Sequence, residues 1–179
     1  MSCQNFSRVL LVLLAIFFFC VCEAKRDVKI GETAPEFSST DITGKPVSLS
    51  QFKGKIVIIY FWRNSCCADS LKSVEPYYRS NRHKELAVIA INVGDSKEIV
   101  TSYAKSNDLT ITMLTDEHSI IFKQYQAFCF PTILIINKKG VIRKRIMGNI
   151  RVDQLEKLIQ NQFDTQKHVE AAYEKNNPR

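Results

Sequence analysis

Tyr60-Phe61-Trp62-Arg63-Asn64-Ser65-Cys66-Cys67-Ala68-Asp69 is the stretch on which the fold turns. It follows Ile56-Val57-Ile58-Ile59, so β-branched and aromatic residues run without a break from Ile56 to Trp62. A run of this kind, bounded upstream by Gly54, predicts a central strand buried on both faces. Two adjacent cysteines then arrive just ahead of a helical pattern. That pattern spans Ala68 to Arg82, with Leu71, Val74, Tyr77 and Tyr78 on its apolar face and Pro76 predicting a kink. A cysteine at the start of a helix is a reactive site, because free N–H groups and the helix dipole favour its thiolate.

Outward from this stretch, strands and helices alternate. Leu86–Val93 reads as a second buried strand, ending at Gly94-Asp95. Ser96 precedes a helix over Lys97–Asn107, with Ile99, Val100, Tyr103 and Ala104 on one side. A short strand is predicted at Ile111–Leu114 and a short helix at His118–Tyr125. Thr132–Ile136 and Val141–Met147 form a hairpin about Asn137-Lys138-Lys139-Gly140. Val152–Phe163 is the last periodic helix. On the other side, turn signals at Gly31, Pro35 and Thr43-Gly44-Lys45-Pro46 flank short apolar pieces and predict an N-terminal hairpin. The alternation implies an α/β protein with a central mixed sheet flanked by helices.

The first residues read as an export signal. Arg8 precedes an apolar run from Val9 to Val21, and Cys22-Glu23-Ala24 is a small-x-small cleavage site. The predicted layout is a signal peptide over 1–24, one folded domain over 25–163 and a polar tail over 164–179, frayed helix or disordered. An uncleaved signal anchor is the alternative at the N-terminus. Export to a periplasm or a secretory or extracellular compartment means oxidising surroundings. Cleavage removes Cys3, Cys20 and Cys22 and leaves Cys66, Cys67 and Cys129. Three is odd, so one thiol is left over.

The net charge of +7 does not by itself indicate a nucleic-acid partner, because the lysines are spread along the chain. The short basic clusters, Lys138-Lys139 and Arg143-Lys144-Arg145, fall in a hairpin expected to be solvated, with no aromatic-basic recognition motif beside them. No metal site or cofactor is predicted, since three cysteines without neighbouring histidines lack zinc-ligand spacing. His83, His118 and His168 are scattered and read as surface residues.

A strand ending Phe61-Trp62, a cysteine four residues after the Trp, and a later Phe130-Pro131-Thr132 leading into a strand resemble the thioredoxin superfamily. The Pro35-Glu36-Phe37 opening, the Gly44-Lys45 turn and Leu49-x-x-Phe52-Lys53-Gly54-Lys55 are similar to the exported TlpA/ResA group, itself similar to peroxiredoxins. The likeness spans Ile30 to Phe163. It implies a thioredoxin-like fold with an N-terminal hairpin extension, and a thiol–disulfide oxidoreductase acting on exported proteins that carry disulfides or thiols. By position Cys66 is the attacking cysteine, and Pro131 matches the cis-proline beside which an incoming peptide pairs. Trp62 and Phe130 flank that region as candidate substrate contacts, with core packing as the plainer reading of each.

The departures bear on chemistry. Asp69 stands where the resolving cysteine belongs, Ser65 where Trp is common, Lys72 where Glu is frequent, and Tyr60 in place of a buried acid; Pro76 comes two residues late. Asp69 is either a general base for the thiol or a solvated helix residue. Cys67 is adjacent to Cys66, but a vicinal disulfide closes a small strained ring. Cys129, two residues before Pro131, is the preferred resolving candidate, set against a plain role as a small buried hydrophobe. A monothiol route with an external thiol such as glutathione is a further alternative. Two rival functions follow: a binding or assembly protein that has lost turnover, and a peroxidase using Cys66 or Cys67 with Cys129.

Overall fold

The computed structural model describes residues 28–176. The expected signal segment, with Cys3, Cys20 and Cys22, lies outside the described residues.

Among the described residues there are seven strands: β1 Ser38–Thr40, β2 Pro46–Ser48, β3 Ile56–Trp62, β4 Leu86–Val93, β5 Thr112–Asp116, β6 Thr132–Ile136 and β7 Ile142–Met147. The helices are α1 Asn64–Lys72, α2 Glu75–Asn81, α3 Lys97–Ser106, α4 Ile120–Gln124 and α5 Val152–Asn176, with a 3₁₀ turn at Leu49–Phe52. β1 and β2 form the expected hairpin. The others make one sheet in the order β5-β4-β3-β6-β7. β3 is central: β4 lies parallel on one side and β6 antiparallel on the other. That position buries all seven of its residues, which is why no polar residue interrupts the run.

Alternation along β3 builds two cores. Val57, Ile59 and Phe61 face one layer, where they meet Phe37, Val47 and Leu49 of the N-terminal segment and Ile121 and Tyr125 at α4. Ile56, Ile58, Tyr60 and Trp62 face the other, against Cys67 and Leu71 of α1, Val100 and Ala104 of α3, and Leu155 and Ile159 of α5. One sheet is therefore covered on both sides.

Several boundaries differ from expectation. The first helix begins at Asn64, four residues earlier than Ala68, and it breaks instead of kinking. It ends at Lys72, and α2 restarts at Glu75 with Pro76 in its first turn. Proline has no N–H to give a preceding turn and would clash with its carbonyl, so it is accommodated where the N–H is unpartnered anyway. The short helix shrinks to Ile120–Gln124 because Asp116 sets its start: its Oδ1 accepts the Ile120 N–H (2.7 Å) and its Oδ2 the Phe122 N–H (2.8 Å). The polar stretch after Phe163 continues α5 as helix to Asn176.

The basic hairpin is not wholly solvated either. Arg143 and Lys144 are exposed, but Arg145 is half-buried. Its guanidinium donates to the carbonyls of Val28 (2.9 Å), Tyr125 (3.0 Å) and Gln126 (3.0 Å). Among the described residues no helix is long and apolar enough to cross a membrane.

Candidate active site

The carboxyl ends of β3, β4 and β5 and the start of β6 lie at the same end of the sheet, so four loops converge there. The loop after β3 is one residue long: Arg63 is extended at φ −138° and ψ 142°, and α1 follows at once. Arg63 O accepts the N–H groups of Cys66 (3.3 Å) and Cys67 (3.1 Å), closing the first turn. Cys66 is thus the third helical residue, closer into the helix than a start at Ala68 implied. Its side chain is exposed, while Cys67 points inward and is buried.

The two sulfurs face each other at 2.6 Å. Burial pushes the Cys67 thiol up to about 12, and its contact with Cys66 adds to the effect. Cys67 is therefore a thiol at neutral pH, because its charged form would sit in the apolar layer. Behind it lies Tyr60, whose hydroxyl is 2.9 Å from Ser70 Oγ; Ser70 Oγ in turn donates to Cys67 O (3.0 Å). Burial, foremost, raises Tyr60 to about 12, with the neighbouring Cys67 and Cys66 contributing. Among the described residues no carboxylate hydrogen-bonds to either of these sulfurs.

The start of α1 is held from β4. Asp95 Oδ2 accepts the Asn64 N–H (2.9 Å) and an N–H of the Asn92 side chain (2.8 Å). Asn92 Oδ1 accepts the Asp95 N–H (3.1 Å). A carboxylate on a free N–H at a helix N-terminus satisfies an orphan donor and complements the dipole. Sequence reasoning missed Asn92 and Asp95. The available signal was an asparagine in an otherwise apolar strand, just before Gly94-Asp95.

The opposing wall is the loop before β6. The Phe130–Pro131 bond is cis and Pro131 is buried. Phe130 is partly buried, stacked on Phe122 (centroids 4.8 Å apart, planes 16° apart). Arg63 also lies over this ring, with Cζ 4.9 Å from its centroid. Phe128, which flanks Cys129, is 75 % exposed. Cys129 itself is half-buried, and its sulfur sits 3.7 Å from Thr132 Oγ1, whose hydroxyl donates to Cys129 O (2.7 Å). The structure thus brings Cys67, not Cys129, into contact with Cys66.

The two remaining candidates are placed differently, one buried and one exposed. Trp62 is fully buried and packs on Tyr103 (5.0 Å between centroids), so it presents no face to a substrate. Tyr103 also bonds α1 through its hydroxyl, donated to Ala68 O (2.6 Å). Asp69 is exposed on α1, and its charge is felt at Tyr103, which burial chiefly raises to about 12. All three histidines are exposed, and among the described residues no group of three or more His, Cys, Asp or Glu is placed to share a metal ion.

Comparison with known proteins agrees with this geometry. The AhpC/TSA family profile matches residues 30–145. The chain is 28% identical over 161 residues to the thiol-disulfide oxidoreductase ResA of Geobacillus kaustophilus, covering 87% of this chain and 92% of that protein. It is 32% identical over 140 residues to the thioredoxin-like protein YneN of Bacillus subtilis, covering 74% and 81%. A thioredoxin-family thiol:disulfide interchange protein from Chlorobium tepidum shares the fold at a TM-score of 0.67 and 20% identity, covering 75% of this chain and 97% of its own. With Cys66 exposed on the first turn of α1 and the cis-proline loop at the same end of the sheet, the chain belongs to the AhpC/TSA family as a ResA-like member of the thioredoxin superfamily.

Proposed function

We propose that this protein is a thiol–disulfide oxidoreductase acting on protein disulfides, with Cys66 as nucleophile and Cys67 as resolving thiol. One observation carries the reading: exposed Cys66 and buried Cys67 hold their sulfurs together on the first turn of α1. The Cys66 thiolate attacks one sulfur of a partner disulfide; that S–S bond breaks, and the leaving sulfur takes up a proton. The product is a mixed disulfide on Cys66. Cys67 loses its proton and attacks Cys66 Sγ, releasing the partner's second thiol and leaving a Cys66–Cys67 disulfide. The partner gains two thiols, the enzyme loses two, and an external thiol reductant restores them.

Closing that ring takes Cys66 and Cys67 out of helical geometry. The first turn has the fewest intrahelical bonds to lose. Deprotonating Cys67 in its apolar setting, with no carboxylate among the described residues hydrogen-bonded to it, makes the second step slow. Substrates are thiol- or disulfide-bearing proteins; that they are exported proteins, met in a periplasm or secretory space, rests on the N-terminal sequence.

The test compares Cys66→Ser and Cys67→Ser on a protein disulfide under an external reductant. Cys66→Ser abolishes turnover. Pre-reduced Cys67→Ser, mixed with the protein disulfide and no external thiol, still forms the mixed disulfide, which accumulates because nothing inside the protein releases it. Turnover that survives Cys66→Ser overturns the assignment. Accumulation with Cys129→Ser and not with Cys67→Ser moves the resolving role to Cys129. Peroxide consumption with a sulfenic acid on Cys66 would favour a peroxidase.

A further inference from the structure

Arg63 stands between Cys66, three residues on, and the cis-proline loop, and beyond a small lowering of the Cys67 thiol by its charge it has no part in the redox steps above. Its Nε donates to Val93 O at 3.1 Å. Its guanidinium lies over Phe130, Cζ to centroid 4.9 Å, and Phe130 is itself braced by Phe122. Gly94 makes room for it: a Cβ there would stand 3.1 Å from Arg63 Nη2, and the φ of +90° suits glycine as well. The side chain is therefore fixed in place, yet the residue is exposed. Among the described residues no carboxylate pairs with it. The nearest acids along the neighbouring segments are otherwise placed, Asp95 on Asn64 and Asn92, and Asp69 on the exposed face of α1.

We infer that Arg63 selects substrates, by pairing its free Nη1 and Nη2 donors with a carboxylate that flanks the reacting cysteine of the partner protein. A planar guanidinium held still by stacking loses little freedom on binding and matches a carboxylate with two parallel hydrogen bonds. Its position, three residues before Cys66 and against the residue preceding Pro131, puts that contact within a residue or two of the disulfide under attack. The preferred substrate is thus an acidic segment, with Asp or Glu next to the cysteine. The inference rests on the oxidoreductase reading.

The experiment measures the second-order rate at which the reduced protein attacks peptide–thionitrobenzoate mixed disulfides, alike except for Glu, Gln or Lys beside the cysteine. This single displacement does not involve the resolving step. At low ionic strength the Glu peptide reacts about tenfold faster than the Lys peptide, and the ratio falls with salt. Arg63→Gln brings the ratio near that of the overall positive charge alone. Arg63→Lys restores part of it, having the charge without the fork. Lys84→Gln, at the far end of the sheet, leaves it as in wild type. A role in packing alone would slow all three peptides equally and leave the ratio intact, which overturns the inference while leaving the oxidoreductase reading standing. No preference in the wild type overturns it too. Failure of the wild type to react with any peptide overturns the oxidoreductase reading and this inference with it.

Discussion

Cys66 and Cys67 are neighbours in sequence that live in different solvents. Cys66 stands in water at a helix start; Cys67 has 2 % of its surface exposed and a thiol raised to about 12 by burial, its contact with Cys66 adding. Alkylation of the native, reduced protein near pH 7.5 should therefore label Cys66 first, half-buried Cys129 later and Cys67 last. Raising the pH to 9 should barely speed labelling of Cys67. Peptide mass mapping of a time course checks this, and rapid labelling of Cys67 at neutral pH would contradict its burial. The same contrast divides the roles in the mechanism, since the sulfur that meets a partner must be accessible and the one that releases it need not be.

At the scale of elements, α2 is tied down by one carboxylate. Glu75 is buried, and its Oε1 accepts from the Arg79 guanidinium (2.8 Å), the Thr110 N–H (2.9 Å) and the Thr110 hydroxyl (2.5 Å); its Oε2 accepts the Ile111 N–H (3.2 Å). This fastens the restart of the broken helix to the chain entering β5. Burial alone would raise the Glu75 pKa; the bonds from Thr110, Arg79 and Ile111 outweigh it and hold the carboxyl below its ordinary 4.5. A folded-state pKa below the unfolded one contributes stability that is complete above the unfolded value and is lost as pH falls through the folded one. Glu75→Gln should cost about 1–3 kcal/mol at pH 7, since buried donors lose a charged acceptor. The difference between variant and wild type should shrink as pH drops below about 4.5. Denaturant melts at pH 7 and pH 3.5 measure both; a constant difference would show that the carboxylate's charge is not what counts.

Across the whole molecule, Arg145 joins parts far apart in sequence. From β7 it reaches Val28 at the beginning of the described chain and the Tyr125–Gln126 turn after α4. That turn leads directly into the Phe128–Pro131 loop, so the clamp also steadies one wall of the site. Arg145→Met should lower stability by about 1–3 kcal/mol, because partly buried carbonyls lose their donors. It should also speed proteolysis within the N-terminal segment, which Arg145 fastens at Val28 ahead of the backbone bonds of Gly31 and Glu32 to Ile142. Melting curves and limited proteolysis read the two effects, and unchanged cleavage there would show that the apolar contacts of Phe37 and Leu49 suffice.

Elements with a strong local signature were legible in the chain itself. Ile56–Trp62, Leu86–Val93 and Thr132–Ile136 could be bounded because burial on both faces demands unbroken apolar runs, which leave no ambiguity about where a strand lies. Cys66 was legible as a helix-start cysteine, and it does stand exposed on the first turn of α1, because its position relative to Trp62 and Pro131 survives the loss of the second motif cysteine. Helix ends were less legible. Arg63 precedes α1 with no capping side-chain bond of its own, since the helix start is capped by Asp95, 31 residues from the Asn64 whose N–H it accepts. The choice between Cys67 and Cys129 could not be read either, for it depends on which way each sulfur turns once the helix and the cis-proline loop are packed. Local composition determined the strands, the sheet class and a cysteine pair at a helix start. The tertiary structure alone decided which sulfur is buried against Cys66, the carboxylate that holds the helix start and the ring on which Arg63 lies, because each depends on how α1 packs on the sheet and on residues brought in from other strands and loops.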